Sequence, residues 1–237
     1  LKDDKFNEKM SDYILYKNIK GKYLTLPEYL EAGKEKYENK VFYITNEQEQ
    51  ASYIKMFEDE GMDAVILNHN IDNPFITHLE QKNTNVKFLR IDADIESFKE
   101  EIPEEELKET TDTLSKLFQK VLGNDKLDVK VEKLKDSSVS AMLTVSEESR
   151  RMQEMMKAYG MAGMDPAMFG AQGGETLVLN ANNALVQYVL EHQEGENTDL
   201  ICKQLYDLAT ISNHPLSADA MTAFIARSNQ ILEVLTK

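Results

Sequence analysis

Apolar positions along this chain repeat at two periods, and the change from one to the other marks out its elements. Val41-Phe42-Tyr43-Ile44-Thr45 is a compact β-rich run. A helical pattern follows at once, from Glu47 to Asp59, with Ala51, Ile54, Met56 and Phe57 on the buried side and Gly61 as its stop. Ala64-Val65-Ile66-Leu67 shows no polar alternation, which predicts a strand covered on both faces. A short helix around Asn73 to Gln81 and a strand over Val86 to Ile91 come next. Helices alternating with buried strands predict βαβ crossovers and a small parallel sheet. Upstream, Tyr13-Ile14-Leu15-Tyr16 reads as a short strand. Thr25, Pro27 and Glu28 carry capping-box spacing at the start of a helix that ends near Tyr37.

An acidic stretch from Asp92 to Glu109, broken by Pro103, reads as a solvated hinge between domains. Beyond it, Leu107, Leu114, Leu117, Phe118, Val121 and Leu122 line one face of a helix closed by Gly123-Asn124. Leu127 to Val131 alternates apolar and polar, as a half-buried strand does. After a turn at Asp136-Ser137-Ser138, Val139 to Val145 is expected to pair back on it antiparallel, and Thr176 to Leu179 supplies a third strand. Asn180 or Asn182 is expected to cap the helix bearing Leu185, Val186, Val189 and Leu190.

Two amphipathic helices close the sequence. The first, capped by Thr198, carries Ile201, Leu205, Leu208 and Ile211; the second, capped by Ser217, carries Met221, Phe224, Ile225, Ser228, Leu232 and Leu235, with Ile231 widening the stripe. Faces this wide need covering. A second copy of the same hairpin, related by a twofold axis, would cover them as a four-helix bundle. The expected class is α/β, α+β taken as a whole. A small three-layer αβα unit with a short parallel sheet is followed by a domain with a small antiparallel sheet and a helical dimerisation bundle. The predicted division is 1–10 as a linker or the end of an upstream domain, 11–103 as the small unit, and 104–237 as the second domain.

Between the second and third of the later strands lies Arg151 to Phe169, which holds Met152, Met155, Met156, Met161, Met164 and Met168, six of the chain's 11 methionines. Met152, Met155, Met156 and Tyr159 fall on one helical stripe, opposite Gln153, Glu154 and Lys157. Gly160, Gly163, Asp165-Pro166 and Gly170 then interrupt the helix. Such a stripe can pack as ordinary core. Unbranched, polarizable methionines on a poorly specified segment also suit a surface that accepts many shapes, and this makes the segment, with Phe169, the first candidate for binding.

The net charge of -15 argues against a nucleic-acid or anionic-membrane partner, because phosphate binding needs a concentrated basic face. No apolar run approaches the ~20 residues that span a bilayer. Cys202 is the single cysteine, which excludes an intrachain disulfide and fits a reducing, cytoplasmic setting. The sequence begins at Leu1 and reads as a piece of a longer chain. The parallel sheet invites a nucleotide, yet Thr45-Asn46-Glu47 and Asn68-His69-Asn70 follow its strands where a phosphate site needs glycines. His69, Asp72 and His78 lie close in sequence without a third histidine or a cysteine, too thin a set for a metal.

Leu24-Thr25-Leu26-x-Glu28-Tyr29, Val41-Phe42-Tyr43-Ile44-Thr45 and Phe224-Ile225-x-x-Ser228-Asn229-Gln230-Ile231-Leu232, in this order, resemble the carboxy-terminal half of the ninety-kilodalton heat-shock protein family in its bacterial form. The resemblance implies ATP-driven chaperones acting as homodimers. It makes the first unit the end of a middle domain and the second a dimerisation domain. ATP and magnesium would be held by an amino-terminal domain, so no catalytic residue and no cofactor is assigned to this chain. It further implies contacts with unfolded or partly folded client proteins through the amphipathic helix, here Met155, Met156 and Tyr159, and through a short helix where Phe75 is the matching aromatic. Two other readings stand beside it: a nucleotide-binding or enzymatic α/β domain, and a purely structural dimerisation module whose methionine segment is core.

Overall fold

A computed structural model of the protein describes residues 9–10, 13–69, 71–93, 95–158, 174–234 and 236. Nearly all of the expected linker 1–10 lies outside them, as do Tyr159, Met161, Met164, Met168, Phe169 and Leu235 and the side chain of Met155. The chain divides into two compact units, Leu1–Asp94 and Ile95–Lys237. The class is mixed α/β, with small parallel and antiparallel pairings, as the hydrophobic pattern predicts.

The first unit opens on an antiparallel hairpin, β1 (Leu15–Lys17) and β2 (Tyr23–Thr25). Helix α1 (Leu26–Tyr37) starts on the expected capping box: the Thr25 hydroxyl accepts from the Glu28 amide, and the Glu28 carboxylate takes the Thr25 amide at 2.8 Å. The Thr25 amide and then the Thr25 hydroxyl, both bonded to that carboxylate, hold the Glu28 carboxyl below its ordinary pKa. Strand β3 (Lys40–Ile44) lies between β4 (Val65–Ile66) and β5 (Lys87–Arg90) and is parallel to both. Its four residues Val41 to Ile44 are all buried, so both faces are covered. The ring of Phe42 meets Tyr37 of α1 at 5.6 Å and Phe57 of α2 (Ala51–Asp59) at 4.9 Å, both edge-on. The chain moves from β3 to β4 through α2, then back across β3 to β5 through α3 (Asp72–Lys82). With the right-handed crossovers that are the rule for parallel strands, this order calls for α2 and α3 on opposite faces, in three layers.

The acidic stretch is not a slack connector. Asp92 is fully buried and takes both donors of the Arg90 fork, at 2.8 and 2.6 Å. Lys99 pairs with Glu96, and the Glu100 amide donates to the Lys133 carbonyl. Residues 95–103 therefore belong with the second unit, and the division falls at Asp94 and not after Pro103.

Helix α4 (Glu104–Leu122) ends at Gly123 in the left-handed region (φ 64°), with the Asn124 amide closing back on the Gln119 carbonyl. The sheet of this unit differs from the expected one. Strands β6 (Asp128–Glu132) and β7 (Ala141–Val145) do not pair with each other. β8 (Glu175–Asn180) lies between them, parallel to β6 and antiparallel to β7. The alternation of β6 fits either neighbour, so its pattern gives the face but not the partner. Val129, Val131, Leu143, Leu177 and Leu179 form the inner face under Leu114 and Phe118 of α4, Val186 and Val189 of α6 (Ala184–Glu191), and Cys202, Leu205 and Ala209 of α7 (Thr198–Ile211). Asn183 caps α6, with the Leu185 amide donating to its side chain at 3.0 Å, in place of Asn180 or Asn182.

Asn180 has other work. Buried at the end of β8, its side-chain oxygen accepts from the Leu134 and Asn182 amides, and its nitrogen donates to the carbonyls of Asp136 and Val139. All four hydrogen-bonding positions of the carboxamide are filled, and they span the connection between β6 and β7. Asn180→Ala is expected to lower unfolding stability by about 3 kcal/mol or more, because it strands several buried backbone groups. Urea titration of the chain measures it.

Candidate functional site

The carboxy-terminal hairpin is built on two unlike helices. α7 is anchored. Thr198 is buried and donates to the His192 carbonyl, and Asn213 after the helix donates to the Leu143 carbonyl of β7 at 3.2 Å. Cys202, Leu205 and Ala209 face the core. Burial, with the Asp199 charge second, pushes the Cys202 thiol up to about 12. Helix α8 (Ala218–Val234) has no buried residue in any of its 17 positions. Met221, Ile225 and Leu232 stand open to solvent, Ile225 at 54% and Leu232 at 59% exposure, while Phe224, Ser228 and Ile231 are half-buried.

Polar bonds join α8 to α7. Arg227 Nε donates to Gln204 Oε1 at 2.9 Å, and its Nη2 pairs with Asp207. Gln204 Nε2 donates to the Ser228 hydroxyl at 3.1 Å, which itself donates to the Phe224 carbonyl. Periodicity singles out apolar stripes and misses Gln204, Asp207 and Arg227. Their signal is a polar pair three apart on one helix opposite an Arg-Ser pair on the next.

The expected interface residues therefore separate. Leu205, at 1% exposure, is core of its own subunit and cannot touch a partner. Ile201 packs against the same core. Leu208 is exposed and Ile211 half-buried. Leu185 on α6 and Val234 at the end of α8, neither among the expected interface residues, are exposed too.

The methionine helix α5 (Glu147–Ala158) starts at Ser146, whose hydroxyl accepts from the Ser149 amide at 3.2 Å. Met152 is half-buried, and Met156 is 5% exposed. Met156 thus belongs to the interior, a correction to its assignment as a wet contact position. Its unbranched thioether adapts to the space available and gains the full transfer energy once covered. Phe75 lies half-buried on α3, in the other unit.

Four amides of the loop after β3 already have side-chain partners. The buried Gln50 side chain accepts from the Thr45 and Asn46 amides at 2.7 and 3.1 Å, and the Asn46 side chain takes those of Gln48 and Glu49. Among the described residues no group of three or more His, Cys, Asp and Glu is arranged to hold a metal, and no helix is long and apolar enough to cross a membrane. The Asp72 carboxylate accepts from the His69 amide at 2.9 Å.

Residues 1–236 match the family model for Hsp90 protein. The chain belongs to the Hsp90 family. Within the family it is similar to the chaperone protein HtpG of Bacteroides thetaiotaomicron, 30% identical over 210 residues, and to that of Porphyromonas gingivalis, 30% identical over 209; each alignment covers 82% of this chain. The chaperone protein HtpG of Bacteroides fragilis is 28% identical over 211 residues, 83% of this chain. The matched region spans 30% of the length of each of these Hsp90 relatives.

Two outcomes follow. Met156→Ala is expected to cost about 2 kcal/mol or more of unfolding stability, the range for a buried methionine, read from the denaturation midpoint. The Cys202 thiol is expected to resist alkylation at pH 8 and to react at the rate at which its unit opens. Mass spectrometry after timed quenching follows it.

Proposed function

We propose that this chain is the carboxy-terminal part of a bacterial Hsp90 chaperone and that its own task is to join two copies. The observation that carries this is α8: a helix with no fully buried residue that holds Met221, Ile225 and Leu232 in solvent. An apolar face this open calls for cover. Fully burying each such side chain is worth roughly 1.5–3 kcal/mol, before the entropic cost of association. Charge is sparse there too. In α8 only Asp219, Arg227 and Glu233 carry charge, in a chain that is 29% charged, and Arg227 is already paired. Charge depletion around an apolar centre is the mark of an interface core.

On this reading the first unit closes a middle domain, the second is a homodimerisation domain, and the assembly works in the cytoplasm on unfolded or partly folded proteins. ATP and magnesium belong to another domain of the full-length chaperone, and no catalytic residue is assigned here. Met152, with the residues after α5, remains the proposed client contact, and Phe75 a second one.

Light scattering over a concentration series is expected to show the mass of two chains. Ile225→Glu and Leu232→Glu together are expected to reduce it to one chain while changing unfolding stability by about 0.5 kcal/mol or less each, as exposed positions do. A doubled mass in the double variant would exclude this face as the junction.

A further inference from the structure

We propose that Arg227 is a positioning residue for self-association. It sets the rotation of α8 about its own axis and so keeps Met221, Ile225 and Leu232 turned away from the chain's own α7. The inference rests on the reading of α8 as the surface where two copies meet.

Apolar attraction has no direction. A stripe of Met, Ile and Leu gains as much against its own neighbouring helix as against a partner's. Nothing in the stripe itself keeps it outward. The polar seam does have direction. Arg227 Nε and Nη2 lie on one rigid plane and reach acceptors on Gln204 and Asp207, three residues apart on one face of α7. The next residue, Ser228, takes the Gln204 amide nitrogen, so two consecutive positions of α8 grip the same side chain. Both members of the Arg227–Asp207 pair are largely buried.

At 3.6 residues per turn, Met221, Ile225 and Leu232 fall within roughly 40° of one another and about a quarter turn from the line on which Arg227 and Ser228 meet α7. Rolling α8 by that quarter turn would cover the stripe with α7. It would also break both Arg227 bonds and the Gln204–Ser228 bond, and leave a buried charge unpaired. The seam thus excludes the self-covered arrangement and holds the stripe in the position a second copy can use.

The test compares the wild-type chain with Arg227→Leu and Arg227→Lys, each also prepared with Ile225→Cys for a labelling arm. Cys202, being buried, gives a quiet background. Arg227→Leu is expected to raise the dimer dissociation constant by about tenfold or more in sedimentation equilibrium. Arg227→Lys, which keeps the charge but offers a single donor point, is expected to fall between. In samples diluted until monomeric, the thiol introduced by Ile225→Cys is expected to label quickly where Arg227 is kept and slowly with Arg227→Leu, because the stripe has rolled inward. A dissociation constant within about twofold of wild type, or equal labelling in the two backgrounds, overturns the inference. A wild-type chain that stays monomeric at every concentration overturns the self-association reading instead, and the labelling arm still decides the rotation. Far-UV circular dichroism confirms that each variant folds. Gln204→Leu, which removes the shared acceptor without touching α8, is expected to reproduce the effect.

Discussion

Strand β8 comes last of its sheet in sequence, after β6 and β7, yet lies between them, and it ends on a buried asparagine. Until β8 arrives, β6 and β7 have no common partner and their inner faces have no floor. The Asn180 carboxamide then bonds the chain between them at both of its ends, through Leu134 and Asp136 on one side and Val139 on the other. Asn182 and Asn183 add bonds to the Leu134 and Ser137 carbonyls. A polar group this deep is stabilising only when every one of its bonds is made, and here each is. The start of α6 is fixed by the same asparagines, and the sheet and α6 in turn form the core into which α7 sets Cys202, Leu205 and Ala209.

That order of support explains why the two last helices differ. α7 is held by packing and by hydrogen bonds at both ends, and Ile201, Cys202, Leu205 and Ala209 of its apolar side are used inside the unit, while Leu208 is not. α8 makes hydrogen bonds and an ion pair to α7, and Met221, Ile225 and Leu232 of its apolar stripe are left over. A buried ion pair contributes little net stability compared with an apolar seam of the same size. Its presence between two helices rich in apolar residues is therefore better explained by what it specifies, a fixed orientation, than by strength.

Most of the architecture was legible in the chain. The capping box at Thr25, the buried run Val41 to Ile44 and the glycine stop at Gly123 are local signals, and local geometry follows from them directly. Two things were not legible, for one reason. Strand pairing in the second unit depends on a segment more than 40 residues downstream of β6, and no period in β6 or β7 encodes which neighbour will reach them. Likewise Leu205 and Leu208 sit one turn apart in a single stripe, and only the packed subunit tells that the first is core and the second is not. Periodicity reveals that a face is apolar; it does not reveal who covers it. The same limit explains Met156, which shares its stripe with Met152 yet is sealed inside the subunit.

On the proposed self-association, acidity narrows where two copies can meet. Each chain carries -15, so approach is opposed over most of the surface. At physiological salt this repulsion fades beyond about 8 Å, but at contact distance like charges facing each other still count. α8 is the exception, since it sets few carboxylates beside its apolar stripe and its one arginine is turned inward to Asp207. A cation left free on that face would attract any acidic surface in reach, including the rest of a second copy. Pairing it internally removes that competing attraction. What remains on the outward side is shape and apolar area, and on the proposed self-association a second copy matches both, without bringing carboxylates together, by presenting the same helix.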